Sequence, residues 1–104
     1  MSAAGDSAAR RAVRREMGIS HADFRRIFPR LLDDAAASVD GTGAHASWPD
    51  GRLLTVRLSP ERERRIALLR LPTTDLEFEF RGFSPAACEA FLGRFDRAFQ
   101  KGGG

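Results

Sequence analysis

The pattern of apolar and charged positions is most regular near the C-terminal end of the chain, over residues 74–100. Within it, residues 76–81 alternate strictly between apolar and charged side chains. A period of two places alternate side chains on opposite faces of a strand. The alternation therefore predicts a half-buried strand whose apolar face carries Leu76, Phe78 and Phe80.

A helix is predicted directly after this strand, over residues 84–100. Ser84 is suited to cap its N-terminus and Pro85 to its first position, where a missing N–H is no loss. Phe83 and Cys88 occupy the positions of a hydrophobic staple. At helical spacing one face then carries Cys88, Phe91, Leu92, Phe95 and Phe99. We expect this face to pack on the apolar face of the strand.

The N-terminal third predicts two helices. Residues 7–17 favour a helix with a thin apolar side, and such a helix frays or is ordered only by a partner. Residues 20–35 predict a second helix, with Ser20 and Asp23 in a capping-box pattern. Pro29 lies on its polar side and either kinks the helix or breaks it in two. Its apolar side carries Phe24, Ile27, Phe28, Leu31, Leu32 and Ala35.

The middle of the chain predicts short strands separated by turns. After a loop that ends near residue 43, strands are predicted at 44–48, 52–58 and 64–71, and the strand 76–81 follows. The sequence Trp48-Pro49-Asp50-Gly51-Arg52 is a strong turn signal between the first two. Proline also marks the turns predicted at 59–63 and 72–75. Strand 64–71 has apolar residues on both faces, which is typical of a central or doubly covered strand.

These elements predict an α+β fold with N-terminal helices, a four-stranded antiparallel β-meander and a C-terminal amphipathic helix packed on the sheet. Residues 7–100 are expected to form a single domain, which is long enough to bury a core without disulfides or metal. Residues 1–6 are predicted to be disordered, and residues 101–104 to form a flexible glycine tail.

Composition narrows the function only slightly. The 104 residues carry a net charge of +3, and sixteen of the seventeen basic residues are arginine. This arginine-rich composition is typical of a small soluble bacterial-type protein encoded by GC-rich codons. The net positive charge alone is therefore weak support for nucleic-acid binding. No apolar run reaches the roughly 20 residues needed to cross a bilayer. One cysteine excludes an internal disulfide, and the cytoplasm is the expected compartment.

No residue set indicates catalysis or metal binding. Cys88 lies on the apolar stripe of its helix, which favours a buried small hydrophobe over a nucleophile. His21 stands beside two capping residues, and His45 has no evident partner. We therefore expect no enzyme activity, catalytic residue, cofactor or metal site.

Charge distribution supports one alternative function. Residues 7–30 hold seven arginines and only two acidic residues, whereas residues 31–51 carry four aspartates and no basic residue. Guanidinium groups suit phosphate recognition. The alternative hypothesis is therefore binding of a nucleic-acid phosphate backbone through the region 10–30, by Arg10, Arg11, Arg14, Arg15, Arg25, Arg26 and Arg30.

The favoured hypothesis is a noncatalytic protein-interaction or accessory module. Its support is the surplus of apolar residues on strand 64–71, which leaves one sheet face in need of a second cover. That cover is either helix 20–35 or another protein, such as a second copy in a homodimer or an unknown partner. The predicted interface residues are Leu53, Ala67, Leu69 and Leu71.

Overall fold

The fold consists of an antiparallel sheet of six strands with two α-helices packed against it, in a computed structural model that describes residues 10–103. The strands are β1 (Arg10–Met17), β2 (Ala36–Asp40), β3 (Gly43–Ser47), β4 (Leu53–Leu58), β5 (Arg62–Ile66) and β6 (Leu69–Arg81). The helices are α1 (His21–Ile27), a 3₁₀ helix (Phe28–Leu31) and α2 (Pro85–Gly103). The predicted disordered segment 1–6 lies outside the described residues.

Strand β6 pairs with three other strands, β1, β4 and β5. The order is β1-β6-β4-β3-β2, and β5 pairs with the first part of β6. β6 is thirteen residues long, and only its second part, from Thr74 onward, pairs with β1. β4 pairs with residues 76–81 of β6, whereas β5 pairs with residues 69–73. Every pairing is antiparallel.

The core lies between one face of the sheet and the helices. Phe78 packs edge-to-face against Phe95 of α2, with the ring centroids 5.0 Å apart. Phe28 is stacked on Phe24, with the ring centroids 4.7 Å apart, and packs edge-to-face against Phe95, with the centroids 6.4 Å apart. The α-helices and the 3₁₀ helix therefore share one core with the strands. The strands supply its buried residues Ala44, Ala46, Leu54, Val56, Leu76, Phe78 and Phe80.

The structure confirms the predicted C-terminal strand and helix and the residues that they bury. Leu76, Phe78 and Phe80 are buried, and so is the whole predicted stripe of α2. The Ser84 hydroxyl accepts a hydrogen bond from the Ala87 N–H at 3.0 Å, as expected of a helix cap. The predicted glycine tail begins at residue 101, and the helix continues as far as Gly103.

The predicted helix over residues 7–17 is wrong for residues 10–17, which form strand β1. Residues 7–9 lie outside the described residues. Val13 and Met17 are four residues apart, a spacing that puts two side chains on one face of a helix or of a strand. Pairing decides between them, since Val13 lies opposite Phe78 and Met17 opposite Thr74. The sequence pattern alone could not distinguish the two states.

The predicted helix 20–35 is broken at Pro29. α1 ends at Ile27, and Pro29 stands at the beginning of the 3₁₀ helix, where its missing N–H is tolerated. This is the second of the two alternatives for Pro29. The chain then forms strand β2 over Ala36–Asp40, where a loop was predicted, because pairing with β3 outweighs the weak strand propensity of alanine.

The prediction of one strand over residues 64–71 is also wrong. β5 ends at Ile66, Ala67 and Leu68 form a two-residue turn, and β6 begins at Leu69. Ala67 adopts a φ of +55°, a conformation that usually signals glycine or asparagine. The predicted turn at 72–75 lies inside β6. Pro72 fits there because β6 has a strand partner on only one side at that position. The sheet therefore has six strands instead of a four-stranded meander.

The capping box of α1 provides a pH-dependent prediction. The Asp23 N–H donates to the Ser20 hydroxyl at 3.0 Å, and the Asp23 carboxylate accepts from the Ser20 N–H at 3.3 Å. Partial burial acts to raise the pKa of Asp23, but the hydrogen bonds from Ser20 and Arg26 lower it below its ordinary value. A lowered folded-state pKa stabilises the fold above the unfolded pKa of about 3.9, and this stability is lost as the pH falls through the folded value.

We therefore expect Asp23→Asn to destabilise the protein at pH 6 and to have a smaller effect at pH 3. The measurement is the free energy of urea unfolding of both proteins at each pH. Ser20→Ala should cost about 1 kcal/mol at pH 6, as for other lost caps. An Asp23→Asn effect that is equal at the two pH values would contradict the role of the charged carboxylate.

Candidate interaction surface

The arm, defined here as residues 62–73, is a two-stranded hairpin at one end of the sheet. It comprises β5, the turn Ala67-Leu68 and the first five residues of β6. The thirteen residues of β6 span about 43 Å, and the shorter dimensions of the molecule are 25 and 23 Å. β6 therefore follows the 55 Å long axis, with the arm at one end of it.

Four aliphatic side chains of the arm are exposed to solvent. Leu68, at the turn, is 99% exposed, and Leu69 is 61% exposed. Ile66 and Leu71 are 51% and 39% exposed. Four of the five exposed large hydrophobic residues in the described chain thus lie in six consecutive positions. An exposed apolar cluster of this kind marks an interaction surface more often than isolated leucines do.

The arm is amphipathic across its two faces. Ile66 pairs with Leu69, and two residues further along Arg64 pairs with Leu71. Because strand side chains alternate, these four residues share one face. It is called here the apolar face of the arm, and its one arginine, Arg64, pairs with Glu16 at 3.4 Å. The opposite face carries the pairs Arg65 with Arg70 and Glu63 with Pro72. A partner could therefore cover the apolar face from the side.

The base of the arm is fixed to the rest of the protein by polar contacts. The Arg62 guanidinium donates to both carboxylate oxygens of Asp75, at 3.1 and 3.2 Å, and to Glu16 at 2.9 Å. The hydrogen bond with Asp75 raises the pKa of Arg62 above its ordinary value. The buried Thr74 hydroxyl donates to the Ile19 carbonyl oxygen at 2.9 Å. These contacts orient the hairpin without covering its apolar residues.

The predicted interface residues fall into two places. Ala67, Leu69 and Leu71 belong to the arm and are exposed. Leu53 is 45% exposed, but it pairs with Arg81 at the opposite end of β6. Arg81 is eight positions after Thr73, or roughly 26 Å along the strand, so Leu53 is not part of the arm. Sequence reasoning omitted Ile66 and Leu68, although the uninterrupted run from Ile66 to Leu69 could have indicated them.

The outer face of the sheet, which points away from the helices, carries charged side chains joined by ion pairs. Glu77 lies between Arg14 and Arg57, at 3.7 and 3.1 Å. Glu79 contacts Arg10 at 3.4 Å and Arg81 at 3.6 Å. A depression of about 340 Å³ in this face is lined by Ala12, Arg14, Thr55, Arg57, Glu77, Phe78 and Glu79. Exposed pairs contribute only about 0–1 kcal/mol each, so these contacts add little stability to a solvated face. The four arginines outnumber the two glutamates that they contact.

The seven arginines predicted to bind nucleic acid are not gathered on one surface. Residues of β1 alternate between faces, so Arg10 and Arg14 lie on the outer face of the sheet, whereas the other two point towards α2. These two are Arg11, 2.8 Å from Glu89, and Arg15, 3.3 Å from Asp96. The remaining three are exposed residues of α1 and the 3₁₀ helix, namely Arg25, Arg26 and Arg30; Arg26 pairs with Asp23.

The cysteine and the two histidines that the sequence offers as candidate reactive residues each lie in a setting that does not indicate catalysis. Cys88 is 1% exposed, and burial raises the pKa of its thiol although Arg11 acts to lower it. A thiol of this kind is a poor nucleophile at neutral pH. The His21 ring nitrogen Nε2 lies 2.8 Å from the Ser59 carbonyl oxygen. His45 has Thr55 Oγ1 3.4 Å from its Nδ1.

Among residues 10–103, no group of three or more His, Cys, Asp and Glu residues is placed to hold a metal ion. No helix in this part of the chain is long and apolar enough to cross a membrane. Comparison with protein-family models, with curated proteins and with solved structures found no match. The arm is the feature of the described residues that most clearly departs from an ordinary solvated surface.

Proposed function

We propose that this protein is a noncatalytic protein-interaction or accessory module that binds a protein partner in the cytoplasm through the apolar face of its arm. The observation that carries the proposal is the exposure of Ile66, Leu68, Leu69 and Leu71 on a projecting hairpin. An isolated two-stranded hairpin is marginally stable in water, and packing against another surface stabilises it. The arm therefore gains most from a partner that covers its apolar side chains.

The partner contact is distinct from the internal core. All four arm residues are far more exposed than the core residues of β6, such as Phe78 at 1%. Covering a large aliphatic side chain contributes roughly 1.5–3 kcal/mol when burial is complete. Four such side chains on one hairpin are enough to form the centre of a small interface.

The test is affinity capture from native lysate, with and without nuclease, using matched variants. One bait replaces Ile66, Leu68, Leu69 and Leu71 with serine. The control bait carries Leu53→Ser, which changes an exposed leucine outside the arm. We expect the wild type and the control to retain the same nuclease-resistant protein, and the arm variant to lose it.

The free energy of urea unfolding is first measured for each bait. It should agree with the wild-type value within about 0.5 kcal/mol, as expected for exposed substitutions. Under that condition, loss of the partner reflects the missing contact surface. Equal recovery by the arm variant, or recovery of no protein by the wild type, would refute the proposal.

Nucleic-acid binding is the alternative proposal, and it rests on the arginines of region 10–30. Five of the seven arginines have carboxylate partners within 3.7 Å, which reduces the positive potential that they offer to phosphates. A complex that nuclease abolishes, and whose affinity falls steeply with salt, would favour this alternative.

A further inference from the structure

Three strands of the described sheet have a free edge, and one of them differs from the other two in charge. β1 and β2 stand at the two ends of the strand order, and β5 pairs with β6 alone. Five of the eight residues of β1 and four of the five residues of β5 are charged, whereas β2 carries one charge, at Asp40. Charged side chains protect an edge against pairing with another chain. β2 is therefore the edge that is most open to a further strand.

The side chains of β2 leave room for such a strand on both faces of the sheet. Ala36 and Ser38 are exposed on the outer face. Ala37 lies on the helix side, opposite the buried Ala46, yet it is exposed as well. The helices therefore do not cover this edge. Val39 is partly buried against the core, and an apolar side chain beside it would extend that core.

A second copy of β2 fits this edge without placing like charges opposite each other. A two-fold antiparallel pairing centred on Ser38 matches Ala37 with Val39 of the other copy, and Ala36 with Asp40 of the other copy. Directly opposite residues of an antiparallel pair share a face. The alanine and the valine thus meet on the helix side, and all five residues of each β2 are paired.

The same kind of pairing is unfavourable at the other two edges. Full two-fold pairing of β5 with its own copy would place Arg64 opposite Arg64. For β1, the registers that keep the faces matched over seven residues oppose either Arg11 with Arg15 or Arg14 with Arg14. Directly opposed like charges destabilise a strand pair. Self-pairing is thus favoured at β2 over the two charged edges.

The charges just outside β2 are complementary in this register. The Arg25 Nη1 atom lies 3.9 Å from the position that a Cβ on Gly41 would occupy, directly beyond the last residue of β2. Asp34 is exposed two positions before the first residue of β2. Antiparallel pairing about Ser38 brings the Gly41 end of one copy to residues 34 and 35 of the other. In the described part of the chain neither Arg25 nor Asp34 forms an ion pair, although the residues at 26 and 33 do.

The charge of Asp40 is already used within its own turn. Its Oδ1 atom accepts hydrogen bonds from the Thr42 N–H at 2.7 Å, the Thr42 hydroxyl at 2.8 Å and the Gly43 N–H at 3.1 Å. The residue opposite Asp40 in the second copy is the uncharged Ala36. Asp40 is therefore compatible with the pairing.

We infer that β2 is a dimerisation edge, at which two copies of this chain pair their β2 strands about Ser38 and Arg25 of each copy contacts Asp34 of the other. The two sheets then form one continuous sheet. This inference is independent of the proposed function, because β3 and β4 lie between β2 and β6, the strand that enters the arm.

The test is sedimentation of the full chain in the analytical ultracentrifuge, from low micromolar to the highest soluble concentration. We expect a concentration-dependent dimer. Ser38→Lys places two lysines opposite each other at the symmetry axis and should raise the dissociation constant about fivefold. Ala12→Lys is the matched control, since it adds a lysine to an exposed outer-face position of β1, the opposite edge. It should dimerise as the wild type does.

An exchange of charges tests the register. Arg25→Glu and Asp34→Arg each replace two attractive contacts with two repulsive ones, and each should raise the dissociation constant about tenfold. The double substitution restores both contacts with their signs reversed, and it should recover most of the dimer. Urea unfolding at low concentration is compared for every variant, so that weaker association is not confused with a loss of fold.

The possible outcomes are distinct. A chain that stays monomeric at every concentration, or a dimer that Ser38→Lys leaves unchanged, overturns the inference. A dimer that is lost in the four-serine arm variant and retained in Ser38→Lys shows that two copies meet through their arms instead. Failure of the double substitution to recover the dimer overturns the contact between Arg25 and Asp34. Capture of a protein partner through the arm is unaffected by any of these results.

Discussion

Replacing Phe95 with alanine is expected to lower the free energy of unfolding by about 3–5 kcal/mol, the usual cost of removing a buried phenylalanine ring. Phe95 is 0% exposed and joins the three parts of the core. Its ring packs edge-to-face on Phe78, with the ring centroids 5.0 Å apart. The ring centroids of Phe99 and Phe28 lie 4.4 Å and 6.4 Å from that of Phe95. The substitution would leave a cavity where strand β6, helix α2 and the 3₁₀ helix meet.

The measurement is the free energy of equilibrium urea unfolding, with tryptophan fluorescence as the signal. Trp48 suits this purpose because it packs against Phe91 in the same core, with the rings 6.5 Å apart. Leu68→Ala is the control, since it also removes a large apolar side chain, but one that is 99% exposed. A Phe95→Ala loss of less than 1 kcal/mol would show that this ring is not central to the core.

The C-terminal half of the fold could be predicted because several independent signals agree there. Alternation over residues 76–81 is unambiguous for a strand, and Ser84 with Pro85 marks the beginning of a helix. The helical stripe and the strand face are both apolar, and each would be exposed to water without the other. Their packing follows from those facts without any long-range information.

The N-terminal strand could not be predicted, because its local pattern is compatible with two structures. Arginine favours helices, and Val13 and Met17 share a face in either state. What decides the outcome is the free edge of β6, to which residues 10–17 add a strand. Arg11 and Arg15 then reach carboxylates on α2, a contact between residues about 80 positions apart.

The candidate site was only partly predictable for a related reason. The surplus of apolar residues at 64–71 indicated an interface, and Ala67, Leu69 and Leu71 are indeed exposed. The hairpin was missed because its turn contains Ala67 and Leu68, neither of which signals a turn. Without that turn, the pairing of Arg65 with Arg70 cannot be inferred from the sequence.

Replacing Gly43 with alanine is expected to destabilise the protein by about 2–6 kcal/mol, because steric overlap and backbone strain each cost roughly 1–3 kcal/mol. Gly43 has a φ of +152°, and a Cβ built there would overlap the carbonyl oxygen of Val56. Its strand β3 pairs with β4 at this point, Gly43 lying opposite Arg57. The new methyl group would push apart two strands that both supply core residues.

Gly51→Ala separates these two causes. Gly51 also has a positive φ, +96°, but a Cβ there would meet no atom within 4 Å. It lies in the turn between β3 and β4, so its substitution reports backbone strain alone. We expect urea unfolding to show a clearly larger loss for Gly43→Ala than for Gly51→Ala. Equal losses would mean that the strands tolerate the methyl group, and that glycine is required at residue 43 only for its backbone conformation.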